Sequence, residues 1–180
     1  MGQVRILLLN PPSSSVYRRI GLVFPPLGLA YLAAALEERG HEGDIIDLEV
    51  ERVRPEDIPW SGCAVVGISS DTPRYKSAIG LAKLAKNAGC TVVLGGYHPT
   101  FADEETLSTG VVDYVVRGEG ELTLVRLIER ISRGEEPSDV PGLSYLKNSS
   151  VVRTGPPEAP QDLDSQPFPA RHLLRMDRYR

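Results

Sequence analysis

Cysteine is scarce in this chain of 180 residues, which contains only Cys63 and Cys90. Two cysteines exclude a disulfide-stapled secreted scaffold. Each opens an apolar run typical of a buried strand, so we interpret both as small core side chains rather than as a disulfide or a metal pair. Sparing use of cysteine, with no signal peptide, predicts a protein of the reducing cytoplasm.

Basic residues and long apolar segments are also few. The 20 Lys and Arg residues are outnumbered by 24 Asp and Glu residues, and the isoelectric point is near 5.4. Nucleic acid is therefore not expected as the main partner, because phosphate binding needs a basic face. The apolar run at residues 4–9 is too short to span a bilayer. We expect neither a nucleic-acid partner nor a membrane partner.

Motifs for several common ligands are missing. No G-x-x-x-x-G-K-[ST] phosphate loop occurs, and the first apolar run leads into Asn10-Pro11-Pro12 where a dinucleotide-binding domain has a glycine-rich turn. No grouping of Ser, His and Asp suggests a hydrolase. The three histidines, His41, His98 and His172, are predicted to lie apart, whereas a metal site needs two or more ligands. We expect no metal site built by the protein itself.

Apolar runs alternate with helical patterns along the first three quarters of the chain. The sequence predicts strands at 4–10, 41–50, 63–70, 90–96 and near 112–117, and helices at 27–40, 73–89, within 100–110 and at 121–134. This alternation is typical of an α/β fold with a five-stranded parallel sheet, doubly wound in the flavodoxin-like or Rossmann-like manner, with helices on both faces. We assign this domain to residues 1–135.

The remaining residues, 136–180, differ from the first 135 in composition and pattern. Residues 142–155 are predicted to form a small hairpin that turns at Asn148-Ser149-Ser150. Residues 156–174 are rich in proline and are predicted to be extended, as a linker or as a strap along a neighbouring surface.

The carboxyl ends of parallel strands are where ligands bind in open α/β sheets. The loops expected there are residues 10–12, 69–72, 95–100 and 117–121, which are rich in Gly, Ser, Thr and Pro. Each could be an ordinary turn, but together their small side chains would let backbone amides approach a bulky ligand. His98 in this set is interpreted as a hydrogen-bonding loop residue, with ligation of a cofactor's own metal as the other option.

The order of several segments resembles the N-terminal half of cobalamin-dependent radical SAM enzymes, over nearly the whole chain. These segments are FPPLGLAYLAAALEERGHE, GGYHPT, VDYVVRGEGE, PGLSY and LDSQPFPARHLL. The resemblance implies a flavodoxin-like cobalamin-binding domain followed by a barrel that carries a CxxxCxxC iron–sulfur motif and S-adenosylmethionine. That motif is absent here, so the resemblance implies a domain without its catalytic half and without catalysis of its own.

The family's cobalamin site can be transferred onto matching positions of this sequence. The resemblance implies cobalamin contacts at Asn10, Pro11, Pro12, Pro25, Pro26, Leu27, Gly28, Ser69, Ser70, Asp71, Thr72, Gly95, Gly96, His98, Pro99, Thr100, Gly118, Glu119 and Gly120. Gly95 and Gly96 would open a slot for the nucleotide tail of cobalamin, and hydroxyls of this set would bind the tail and its phosphate.

One departure bears on how cobalt would be held. Better-known cobalamin domains carry D-x-H-x-x-G after the first strand, and their histidine ligates cobalt from below. This chain has no histidine there, so the resemblance implies a displaced (base-off) tail and a lower cobalt face without a protein histidine. His98 is then interpreted as a contact to the tail, and the arrangement would suit methyl transfer.

The sequence therefore predicts the cobalamin-binding domain of a radical SAM methyltransferase or cyclase, with the barrel in cis. A free-standing cobalamin carrier is the first alternative. A doubly wound domain that binds a flavin or a nucleotide-type ligand is the second. A domain without a ligand, kept for contacts with a partner protein, is the third.

Overall fold

The computed structural model describes residues 3–13, 22–158 and 162–179. Their strands are β1 (Arg5–Asn10), β2 (Glu42–Asp47), β3 (Val65–Ser69), β4 (Thr91–Gly95), β5 (Tyr114–Val116), β6 (Leu143–Lys147) and β7 (Ser150–Arg153). Their α-helices are α1 (Leu27–Glu38), α2 (Tyr75–Asn87), α3 (Tyr97–Phe101), α4 (Asp103–Ser108) and α5 (Glu121–Ser132).

The strands form one sheet in the order β2-β1-β3-β4-β5-β6-β7. The first five are parallel, in the order of flavodoxin-like domains. β6 and β7 are antiparallel to their neighbours. The prediction of a five-stranded, wholly parallel sheet with a separate hairpin is therefore wrong. The hairpin adds to β5, which would otherwise leave its backbone N–H and C=O groups unpaired at the sheet edge.

Each face of the sheet has its own apolar core. Because successive side chains of a strand point to opposite faces, β1 sends Ile6 and Leu8 to one core and Leu7 and Leu9 to the other. Helices α1 and α5 cover the first face, called here the α1/α5 face. Helix α2 covers the second, called here the α2 face. The uninterrupted apolar run of β1 follows from its burial on both sides.

Local sequence signals set several element ends. Gly40 and Gly89 lie just beyond α1 and α2 with φ of +75° and +86°, as expected of helix C-caps. Pro73 falls in a short 3₁₀ turn, so α2 begins at Tyr75 rather than at residue 73. Cys63 and Cys90 are buried in the α2-face core, which confirms their interpretation as core side chains.

The hairpin is fixed to the rest of the domain by an ion pair between the buried Asp103 and the exposed Arg153. Its turn is formed by Asn148 and Ser149 with φ of +51° and +61°, as predicted. The carboxylate of Asp103 accepts hydrogen bonds from Arg153 at 2.8 and 2.9 Å and from the Ser144 hydroxyl at 2.6 Å. Burial alone would raise the pKa of Asp103, but these donors outweigh it and lower the pKa.

The proline-rich tail returns to its own domain. The backbone N–H of Ala170 donates to the Ala30 carbonyl at 2.9 Å, and Ala170 and Leu174 are buried in the α1/α5-face core. The Tyr179 hydroxyl donates to Asp47 at 2.8 Å. The tail thus runs along α1 to the carboxyl end of β2. Among the helices in the described ranges, none has the length and apolar character needed to cross a membrane.

Candidate functional site

Two adjoining cavities open at the carboxyl ends of the parallel strands. The inner cavity has a volume of about 150 Å³ and lies between the sheet, α1 and α5. The outer cavity has a volume of about 260 Å³ and lies over the ends of β1, β3 and β4. Both are lined by Gly28, Leu29, Ser69 and Gly96, so they meet. They occupy the β1/β3 position where the direction of strand succession reverses, the switch point of this fold.

The inner cavity lies against the sheet at two glycines, Gly67 and Gly95. Leu8, Gly67 and Val93 are paired in register on neighbouring strands and form its inner row. A Cβ atom at Gly67 would lie 2.8 Å from Cδ2 of Leu8. Gly95, two residues beyond Val93, belongs to the outer row. Gly67 therefore lets the Leu8 side chain lie across β3, and Gly95 leaves an open position in the outer row.

The outer cavity has a more polar lining. Asp71 accepts a hydrogen bond from the Arg74 backbone N–H at 2.9 Å and pairs with the Arg74 guanidinium. The same guanidinium reaches Glu49 at 3.2 Å. Because Arg74 lies between two carboxylates, its charge is balanced within the cavity wall. Phe24 and Tyr97 line the same cavity and are 71% and 81% exposed.

Asn10 is held in place at the end of β1 by a buried carboxylate. Its Nδ2 donates to Oδ1 of Asp47 at 2.8 Å, and Oδ2 of Asp47 accepts the Tyr179 hydroxyl. Burial and this hydrogen bond to Asp47 raise the pKa of Tyr179. A chain of hydrogen bonds therefore connects the C-terminal tail to a residue that lines the outer cavity.

Gly96 has a conformational role as well as a spatial one. Its φ is +97°, and a Cβ atom there would lie 2.6 Å from the Ser70 carbonyl oxygen. This close approach accompanies hydrogen bonds from Ser70 N–H to the Gly95 carbonyl at 2.8 Å and from His98 N–H to the Ser70 carbonyl at 3.3 Å. Gly96 thus allows the ends of β3 and β4 to pack against each other.

His98 lies in helix α3 rather than in a loop and lines neither cavity. Its Nδ1 is 3.2 Å from the Thr72 hydroxyl, and its ring packs on Tyr75 with centroids 3.9 Å apart. Tyr75 in turn packs against the α2-face core. This position favours a role for His98 in holding the loop after β3. The described residues contain no group of three or more His, Cys, Asp or Glu side chains placed to hold a metal ion.

The other residues that the sequence marked fall into two groups. Those that line one or both cavities are Asn10, Pro26, Gly28, Ser69, Ser70, Asp71, Gly95, Gly96, Gly118, Glu119 and Gly120. Those outside the lining of both are Pro11, Pro12, Pro25, Leu27, Thr72, His98, Pro99 and Thr100. Thr100 still contributes indirectly, because its Oγ1 accepts the Gly118 backbone N–H at 3.1 Å.

The apolar interior of the site is not predicted from the sequence. The inner cavity is also lined by Leu8, Leu29, Leu32, Gly67, Val93, Val116 and Leu124, and the outer one by Phe24, Arg74 and Tyr97. One signal could have revealed the interior, since Gly67 interrupts the apolar strand VVGIS. A glycine within a strand often marks a close approach of another group.

This fold is a doubly wound α/β domain with two adjoining cavities at its switch point. The B12 binding domain family matches residues 14–128, which are more than half of the chain. The chain therefore belongs to the B12-binding domain family.

Curated relatives cover the chain but are much longer than it. An uncharacterized methyltransferase of Pyrococcus horikoshii is 39% identical over 193 residues, which span 100% of this chain and 41% of the relative. An anaerobic magnesium-protoporphyrin IX monomethyl ester cyclase of Synechocystis is 29% identical over 89% of this chain and 34% of its own length. The chain thus spans about two fifths or less of these relatives.

A solved structure shares the fold. OxsB, a cobalamin-dependent S-adenosylmethionine radical enzyme determined with aqua-cobalamin and S-adenosylmethionine bound, superposes with a TM-score of 0.80 and 21% identity. The match covers 96% of this chain and 25% of OxsB. The domain resembles those of cobalamin-dependent radical SAM methyltransferases and cyclases.

Proposed function

We propose that this chain holds cobalamin base-off, with the nucleotide tail in the inner cavity and the corrin ring against the outer cavity. The observation that carries the proposal is the inner cavity itself, which lies against the sheet at Gly67 and Gly95 and is called here the slot. A large planar cofactor also needs apolar contact area near the slot, and the exposed rings of Phe24 and Tyr97 supply it.

The residues around the cavities fit a cofactor whose cobalt has no ligand from this protein. β1 ends at Asn10, whose amide is already engaged by Asp47, and Pro11 and Pro12 follow it. His98 is turned toward Thr72 and Tyr75. When bound, cobalamin supplies a cobalt centre suited to methyl transfer. The protein would bind the tail, keep water from the slot and leave the lower face of cobalt without imidazole.

We further propose that the chain acts within a longer protein that carries a radical SAM barrel. The methyltransferase and cyclase relatives extend well beyond the matched part, which supports this proposal. The iron–sulfur cluster, S-adenosylmethionine and substrate would be bound in that second domain. Residues 1–135 would hold cobalamin, and residues 136–180 would cover the sheet edge and lead toward the barrel.

Binding of hydroxocobalamin tests the proposed function. The protein is mixed with hydroxocobalamin, free cofactor is removed, and the visible spectrum of the protein fraction is recorded. We expect about one equivalent of retained corrinoid. No retention at micromolar protein would contradict the proposal.

A substitution at Gly28 tests whether the cavities are the site. Gly28 lines both cavities, and a Cβ atom added there would meet no atom within 4 Å. Gly28→Leu should fold, because Gly28 lies in the first turn of α1 without a positive φ and an added Cβ atom meets open space. Leucine would project into the mouth of the site, so we expect at least a tenfold loss of hydroxocobalamin affinity.

Gly80→Leu is the matched control for that variant. Gly80 is also a helical glycine with open space around an added Cβ atom, but it lies in α2 and outside both cavities. Its affinity should equal that of the wild type. Equal affinities of Gly28→Leu and Gly80→Leu would show that the cofactor binds elsewhere.

A further inference from the structure

The inner end of the inner cavity is apolar on every wall. Leu8 and Val93 of the inner row and Leu124 of α5 are buried and line this end, while Leu29, Leu32 and Val116 add aliphatic surface nearer the mouth. The sheet wall consists of strands β1, β3 and β4, whose backbone groups are paired with one another in the parallel ladders. A group that enters this end of the cavity meets aliphatic carbon and no free hydrogen-bonding partner.

The polar side chains of this cavity lie nearer its mouth. Ser69 is in the outer row, two residues beyond Gly67 on β3. Glu119 and Glu121 lie at the start of α5. Burial raises the pKa of the Glu121 carboxyl group. These acceptors are thus placed at the helix start rather than at the inner row.

We propose, on the basis of the proposed function, that this cavity selects the benzimidazole lower base of cobalamin over a purine lower base. Dimethylbenzimidazole presents two methyl groups and a single ring nitrogen with a free lone pair, so its methylated edge can enter an aliphatic pocket without loss. Adenine carries an exocyclic amine and three further unsubstituted ring nitrogens. A buried amine without a partner lowers affinity by about tenfold to one hundredfold.

Val93 offers a direct test, because it is paired with Gly67 at the inner row. Val93→Thr keeps the side-chain shape and replaces one methyl group with a hydroxyl at the inner end of the cavity. Val92→Thr is the matched control, since Val92 is equally buried on the same strand but belongs to the α2-face core. Three corrinoids are titrated against each protein: cobalamin, the same cobamide with an adenine lower base, and cobinamide, which lacks the nucleotide. Circular dichroism and urea unfolding compare the folding of the two variants.

The quantity compared between the proteins is the ratio of their affinities for cobalamin and for the adenine cobamide. Dividing the ratio of each variant by the wild-type ratio removes the different tendencies of the free cobamides to coordinate their own base. Val93→Thr should shift the preference toward the adenine cobamide by about threefold to tenfold, and Val92→Thr should leave it unchanged. The wild type should bind cobalamin more tightly than cobinamide.

Two results would overturn the inference while leaving cobalamin binding intact. One is an unchanged preference in Val93→Thr when both variants are folded. The other is equal wild-type affinity for cobalamin and cobinamide, which would place the base outside the cavity. Failure of all three corrinoids to bind would instead overturn the proposed function, and this inference with it.

Discussion

At the residue scale, the adjacent glycines Gly95 and Gly96 at the end of β4 have different structural roles. Gly95 has ordinary backbone geometry, and a Cβ atom there would lie 3.5 Å from the nearest atom, the Val116 carbonyl oxygen. Gly96 has a positive φ, and its Cβ atom would collide with the backbone of Ser70. Gly95 therefore provides space in the cavity, whereas Gly96 is required by the packing of the strand ends.

This difference predicts opposite outcomes for two alanine substitutions. Gly95→Ala should fold with nearly the wild-type free energy of unfolding, and its methyl group should weaken cobalamin binding by narrowing the slot. Gly96→Ala should lower the free energy of unfolding by about 1–3 kcal/mol, because it combines backbone strain with a steric clash. Urea unfolding followed by circular dichroism measures both. A Gly96→Ala protein as stable as Gly95→Ala would contradict the conformational role of Gly96.

The histidine next to these glycines illustrates what a residue type alone does not decide. The family resemblance implies that His98 contacts the cofactor tail, because it follows the fourth strand near the expected position of the tail. In the structure its ring packs on Tyr75 of the α2 face, while the inner cavity lies on the α1/α5 face. A residue that follows a strand can lie on either face of the sheet, depending on how the chain turns at the strand end. The turn at Gly96 directs His98 toward α2.

At the element scale, the tail from residue 162 onward supports the site from outside. Leu174 packs into the core beneath α1, and Arg178 donates to the Val50 carbonyl at 3.3 Å. The Tyr179 hydroxyl then completes the hydrogen bonding of Asp47, the residue that orients Asn10. The composition of this segment predicts a linker, but the segment packs as a strap against the carboxyl ends of β1 and β2.

Tyr179→Phe tests this strap. The variant removes one hydrogen bond to a buried carboxylate and keeps the ring, so we expect the free energy of unfolding to fall by about 1–2 kcal/mol. Trypsin should also cleave the tail faster, because its last contact with the domain is weakened. Tyr31→Phe is the control, since Tyr31 is partly exposed on α1. Equal stability and equal cleavage rates for the two variants would show that the Tyr179 hydroxyl contributes nothing to docking.

At the scale of the whole molecule, the sequence was informative about the parallel part of the sheet and less so about its edge. The unbroken apolar runs of β1 and β4, the helical periods between them and the glycines after α1 and α2 are local signals, and they predict the five parallel strands. The pairing of β6 with β5 is a long-range contact with no comparable local signal. The hairpin was recognised, but its attachment to the sheet was not.

The interior of the site was hidden for a related reason. Residues such as Leu8 and Val93 look like any other core positions, and they line a cavity only because Gly67 lies between them on the neighbouring strand. Cavities arise from the absence of side chains across several elements, so a pattern read along one element does not show them. The loops at the strand ends, in contrast, could be identified from their shared composition, although each loop alone could be an ordinary turn.

Electron paramagnetic resonance of the cob(II)alamin complex tests the central claim most directly. The signal of Co(II) is split by a nitrogen atom bound on its axis, whether that atom comes from the cofactor's own base or from a histidine. If the protein holds cobalamin base-off with no histidine on cobalt, the retained cofactor should give a signal without nitrogen splitting. A signal with nitrogen splitting from protein-bound cob(II)alamin would contradict this account.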